Sequence, residues 1–170
     1  AEVESVLVNH TAVAEAAAVE ARSAGVRVAV IPTRAQVQGI AAAAVHEPAR
    51  TFDADVVAMT TAAGHTRHGA VTVAIREAVT SAGVCQPGDV LGVVEGDFVV
   101  IGDDVRAVAV GVVGRMLAAG GELVTVVVGS ESDRALADTV TDAVRRSHPG
   151  VDTVVYLGGQ PRYPLLIGVE

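Results

Sequence analysis

The chain has 170 residues, 51% of them apolar, and a net charge of −8, which suits one domain or two small lobes around a shared core. Every basic residue is an arginine and there is no basic run, so nucleic acid is excluded as a main partner, because phosphate neutralisation needs grouped cations. One cysteine, Cys85, excludes an intrachain disulfide; no leader-like start and no long apolar run is present, and the cytoplasm is the expected compartment.

Residues 3–8, VESVLV, read as a buried strand. Asn9, His10 and Thr11 form a polar turn, and Asn9 or Thr11 can cap the alanine-rich helix expected over residues 12–24. Gly25 ends it at a C′ position. Residues 26–31, VRVAVI, read as a second buried strand. Pro32 stops that strand, because it has no ladder donor. Thr33 and Arg34 are an exposed polar pair, followed by a helix over residues 35–45. Two readings of the pair stand: Thr33 capping a helix beside a solvated Arg34, or an anion or partner site at a strand end.

His46, Glu47 and Pro48 close that helix, and another is expected over residues 53–66. Residues 66–69 read as a polar break. After it Val71, Val73 and Ile75 alternate with Thr72, Ala74 and Arg76, a strand period. Residues 83–89 read as a loop. Residues 90–94 and 98–101 flank Glu95-Gly96-Asp97 as a hairpin with glycine at positive φ. Asp103 or Asp104 caps the next helix, which ends at Gly120-Gly121. Residues 123–128 form a buried strand, and Ser130-Glu131-Ser132-Asp133 opens an amphipathic helix to about Ser147. Residues 152–157 form a further strand, Gly158-Gly159-Gln160-Pro161 a turn, and residues 164–169 a strand or edge segment. Strand–helix alternation with short connections is the pattern of parallel βαβ units. The expected fold is α/β: a mainly parallel βα lobe over residues 1–68, then a smaller mixed α+β lobe over 69–170.

No catalytic set assembles from this sequence. A phosphate-binding P-loop needs lysine, and the chain has none. Ser130 follows Gly129, but capping explains it better than nucleophilic chemistry. His65 and His68 have the i, i+3 spacing of a helical metal pair, with His46 and Cys85 elsewhere. A zinc site needs three or four ligands, and a solvated helix end explains the pair. Asp89, Glu95, Asp97, Asp103 and Asp104 crowd one hairpin, where turns and caps account for most of them. The tail Gln160-Pro161-Arg162-Tyr163 is a stiff loop carrying the arginine and tyrosine typical of interface anchors.

These residues resemble a known family. Ile31-Pro32-Thr33-Arg34 with Gln38-Gly39-Ile40-Ala41-Ala42 is similar to a PT(K/R)…QG(I/M)AA segment in the C-terminal domain of bacterial fatty acid kinase large subunits, the dihydroxyacetone-kinase-related proteins with a DhaL-type (DAK2) ATP-binding domain. Met59-Thr60, Thr66 to Thr72, Gly88-Asp89 and Gly96-Asp97 follow in the same order. The ending from Tyr156 to Glu170 resembles the family's GGQPxYPxLxxxE terminus, the most specific of the matches. Asn9-His10 stands where the family commonly has Asn-Asn. The family's GGQTMNPS-like turn and DhaL-type domain are not in the sequence, so the chain reads as a piece of a longer polypeptide.

The resemblance implies a DegV-like, EDD-related fold. It implies a domain that docks a DegV-like, fatty-acid-carrying subunit, while ATP and magnesium sit on the separate DhaL-type domain and the acyl carboxylate is phosphorylated. On this reading the chain is not catalytic in isolation and supplies no catalytic or metal-ligating residue. Its expected partner-binding residues are Thr33, Arg34, Gln38, Arg67, His68, Gln160, Arg162 and Tyr163. The alternatives are a DegV-like domain that itself binds a fatty acid or small anion at Thr33 and Arg34, and a homodimerisation domain.

Overall fold

The structure, a computed structural model, describes residues 18, 19 and 21–170. The strand expected at 3–8 and the cap expected at Asn9 or Thr11 lie outside them. The chain divides into two compact units, residues 1–65 and 66–170.

In the first unit, residues 21–23 are helical and Gly25 follows at φ +78°. Val26 N–H donates to Ala21 O and Gly25 N–H to Arg22 O, both at 3.0 Å, the paired bonds of a Schellman ending. Residues 26–33 then run without regular structure, and Val26 and Val30 are 55% and 51% exposed. This corrects the strand expected at 26–31. Strand preference reflects fit to a pleated surface with neighbours, and no strand pairs with this segment among the described residues. Helix α1 (Gln36–Ala44) packs on α2 (Phe52–His65), burying Val37, Gly39, Ala41 and Ala42. Thr51 starts α2, accepting from Ala54 N–H through its hydroxyl and from Asp55 N–H through its carbonyl.

The second unit holds all the paired strands of the described residues: β1 (Arg67–Val73), β2 (Ala78–Thr80), β3 (Gly83–Cys85), β4 (Val90–Val94), β5 (Asp97–Gly102), β6 (Leu123–Val128), β7 (Asp152–Leu157) and β8 (Leu165–Val169). Helices α3 (Val105–Leu117) and α4 (Arg134–Ser147) complete it. Six strands form one sheet in the order β5-β4-β1-β8-β6-β7, and β2 pairs with β3 alone. Only β6 and β7 are parallel, joined through α4; every other pairing is antiparallel. The mixed unit is therefore the larger of the two, and the parallel character expected of the first is not present in its described residues.

Strand β8 settles the two readings of residues 164–169 in favour of a strand over an edge segment. It lies between β1 and β6, and all five of its residues are buried. An unbroken apolar run suits a strand covered on both faces. Val108, Val112, Val113 and Met116 of α3 join Leu136, Val140 and Val144 of α4 over Val71, Val124, Val126, Leu165 and Ile167 in one aliphatic core. Glycines let α3 come this close. A Cβ at Gly92 would lie 2.5 Å from Val112 Cγ2, and one at Gly69 would lie 2.7 Å from Met116 Sδ.

Candidate partner-binding loops

The loop at 158–164 is tied to the carboxyl end of β6 by backbone and side chain. Gly158 and Gly159 N–H both donate to Val128 O, Gly129 N–H donates to Pro164 O, and Ser130 N–H donates to Gln160 O. Gln160 Nε2 donates to Val127 O and to Tyr163 O, each at 3.2 Å. Thr72 Oγ1 of β1 donates to Arg162 O at 3.1 Å. Gly129 has no room for a side chain, since a Cβ there would lie 2.2 Å from Tyr163 O. Arg162 takes φ +74°, the left-handed region that a non-glycine residue holds only when its surroundings impose it. The outcome is a fixed loop with Gln160 turned inward and Arg162 and Tyr163 exposed, at the carboxyl ends of the parallel strands where α/β sheets place functional groups.

The turn at 32–34 is built similarly. Ala35 is the N-cap of α1 and offers no capping side chain, which corrects the reading of Thr33 as the cap. Gln38, three residues on, folds back and its Oε1 accepts from Arg34 N–H at 2.7 Å, one residue outside the usual capping-box bond. Gln38 is buried, while Pro32, Thr33 and Arg34 are exposed.

Arg67 and His68 open β1. Arg67 does not point to solvent as a free cation. Its Nη1 donates to Met116 O at 2.5 Å and its Nη2 donates to Gly120 O, so it satisfies the carbonyl end of α3, where positive charge is favourable. His68 is tied to the β4–β5 turn. Its N–H donates to Glu95 Oε1 at 2.6 Å, and its carbonyl accepts from Glu95 N–H at 2.9 Å. His68 Nε2 lies 3.6 Å from Glu95 Oε2.

The remaining sequence candidates separate. His65 ends α2 and His68 lies in β1, so they share no helical face. Among the described residues no group of three His, Cys, Asp or Glu side chains is arranged to hold a metal. Asp104 caps α3 through Arg106 N–H, and Asp89 accepts from Gln86 N–H at 2.7 Å. Asp133, rather than Ser130 or Ser132, caps α4 through Leu136 N–H. Cys85 ends β3 and is buried beside Ala74 and Leu91, in contrast to the expected loop.

Sequence reasoning passed over Asp55. Its carboxylate accepts from Glu47 N–H at 3.0 Å, meets His46 Nδ1 at 2.5 Å and lies 3.4 Å from Arg50 Nη1. The backbone bond from Glu47, then His46 and Arg50, holds its carboxyl below the usual range. The one available signal was an acid in the first turn of an apolar helix after His-Glu-Pro.

The chain is 30% identical over 141 residues to an uncharacterised protein of Staphylococcus haemolyticus, and 26% identical over the same length to one of Staphylococcus aureus. These alignments cover 83% of the chain but only 26% of each relative, so the chain spans about a quarter of their length. Among solved structures it is similar to a DegV family protein of Eubacterium eligens loaded with heptadecanoic acid, at TM-score 0.63 and 18% identity over 92% of this chain and 66% of that one. The Streptococcus pneumoniae fatty acid kinase B3 protein loaded with linoleic acid gives TM-score 0.66 and 13% identity, covering 95% and 66%. The dihydroxyacetone kinase of C. freundii with AMP-PNP and Mg2+ gives 0.61 and 16%, covering 91% and 35%. These likenesses establish the α/β, DegV-like fold. Residues 3–170 match the family of FakA-like C-terminal domains of fatty acid kinases, and the chain belongs to that family.

Proposed function

We propose that this domain docks a fatty-acid-carrying, DegV-like subunit. In this arrangement ATP and magnesium sit on a separate DhaL-type domain, and the γ-phosphoryl group passes to an oxygen of the acyl carboxylate, with ADP leaving. The observation that carries the reading is the loop at 158–164, whose backbone is fixed at both ends while Arg162 and Tyr163 face outward. A preformed loop costs little ordering entropy on association, and arginine and tyrosine are the side chains on which interfaces depend most. Thr33 and Arg34 are a second exposed pair on a turn held by Gln38. Gln38 and Gln160 support these surfaces by holding backbone rather than by meeting a partner, while Arg67 holds the carbonyl end of α3.

Direct lipid binding is the rival reading. The test is a pull-down with the cognate DegV-like protein, using the Arg34→Ala, Arg162→Ala double variant. Loss of retention is the expected result, and undiminished binding sinks the site assignment. Native mass spectrometry of the gently purified chain provides the second arm: fatty acid bound to the chain itself would favour the rival.

A further inference from the structure

The connection between α1 and α2 carries ionisable side chains that the docking reading leaves unused. Asp55, in the first turn of α2, is buried. Its Oδ1 accepts from Glu47 N–H at 3.0 Å and lies 3.4 Å from Arg50 Nη1. That leaves Oδ2 for His46, whose Nδ1 is 2.5 Å away. The Glu47 amide first, and then His46, hold the Asp55 carboxyl below its usual range, so it is ionised and can only accept. The hydrogen of this bond therefore sits on His46 Nδ1. In the neutral ring the lone pair is then on Nε2.

The ring is accessible. The His46 side chain is 53% exposed, and Nε2 has no hydrogen-bond partner among the described residues. A buried carboxylate that fixes the tautomer of an accessible imidazole makes that histidine a base or a nucleophile. A metal would need further ligands, and none is grouped with His46 among the described residues. The neighbouring acids are engaged elsewhere. Glu47 Oε1 accepts from Ala49 N–H at 3.1 Å, and Asp53 Oδ1 accepts from Arg27 Nη2 at 2.7 Å. Arg50 uses Nη1 on Val45 O and Asp55. Its Nε and Nη2 remain for a phosphoryl oxygen, on the same carboxylate that holds the ring.

We propose that His46 Nε2 is a phosphoryl-accepting nucleophile whose donor is an acyl phosphate, with Asp55 as its positioning residue. The choice of donor rests on the proposed function, since an acyl phosphate is the product of that reaction. The Nε2 lone pair forms an N–P bond as the P–O bond to the acyl oxygen breaks, and the fatty acid leaves as its carboxylate. No proton has to move. Nδ1 keeps its hydrogen, and the positive charge that the ring gains faces Asp55 Oδ2.

Treating the 170-residue chain with radiolabelled acetyl phosphate, a small acyl phosphate, tests this. The protein is expected to take up label that is lost in acid and kept in alkali, as an N–P bond behaves and a serine or threonine phosphate does not. Mass spectrometry in alkali is expected to place it on His46 alone of the five histidines. His46→Gln is expected to abolish it with the circular dichroism unchanged. Asp55→Asn is expected to slow labelling by about tenfold or more. Should that variant fail to fold, the ring-nitrogen chemical shifts of wild-type His46 stand in for it, with Nδ1 expected to carry the hydrogen. Docking is read separately: His46→Gln is expected to retain the DegV-like protein in the pull-down, and the Arg34→Ala, Arg162→Ala variant to take label as the wild type does. Either reading can thus fail without the other. No label, an acid-stable label, equal label on another histidine, label that survives His46→Gln, or a hydrogen on Nε2 in place of Nδ1 overturns the inference.

Discussion

The turn at 32–34 and the loop at 158–164 belong to different units, yet each is held by a glutamine turned inward and each leaves an arginine outside. They differ in how they are held. Gln38 holds Arg34 N–H, four residues away at the same helix start. Gln160 bonds Val127 and Tyr163, and the loop around it is also tied through Thr72, Val128 and Gly129. The bond to Arg34 is local, whereas those that hold the second loop are non-local. The polar residues thus divide in what they do. Gln38, Gln160 and Arg67 hold backbone, while Thr33, Arg34, Arg162 and Tyr163 present surface.

That contrast gives an order of expected effects. The largest is at Gly129→Ala, where the added Cβ collides with Tyr163 O and the loop has to move; overpacking of this kind costs about 3 kcal/mol, read as a shift in the urea midpoint. Gln160→Ala comes next, at about 2 kcal/mol, because two carbonyls lose their donor at once. If Gln160→Ala leaves the urea midpoint where it was, the loop is not held by its glutamine and the non-local half of the contrast fails.

Much of the second unit was legible in the sequence. The β4–β5 hairpin was marked by Glu95-Gly96, and both residues do take positive φ. The Asp104 cap and, in the first unit, the Gly25 ending were marked by residue type at the right spacing. What was not legible depended on distant partners. Residues 165–169 and residues 26–31 are both apolar runs, but β8 gains a strand on each side and residues 26–31 gain none among the described residues. Composition cannot distinguish them, because pairing decides. The backbone bonds of Arg67, expected among the partner-binding residues, were not legible because the carbonyls it meets lie 49 and 53 positions further on. The inward aim of both glutamines follows from turn geometry, which residue type alone does not fix.

A smaller effect separates the two glutamines. Loss of the bond to Arg34 N–H in Gln38→Ala is expected to cost about 1 kcal/mol, because Arg34 is exposed and its freed amide can turn to water. Hydrogen exchange followed by NMR reads this directly. The Arg34 amide should lose protection while those of α1 beyond its first turn keep theirs. Equal destabilisation by the two glutamine variants would remove the distinction between a local and a non-local hold.

The smallest effect on stability is expected where the proposed contact is greatest. Arg34 and Arg162 make no ion pair among the described residues, and what their backbones bond does not involve the guanidinium. At Arg162 the left-handed backbone penalises alanine as it penalises arginine, so the exchange adds no strain. Arg34→Ala and Arg162→Ala should therefore each leave the unfolding free energy within about 0.5 kcal/mol of wild type. Side chains exposed at no benefit to the fold are the ones that a docking role explains. A loss of more than about 1 kcal/mol at either arginine would show that it supports its own loop, as the glutamines do, and the division between holding and presenting residues would not stand.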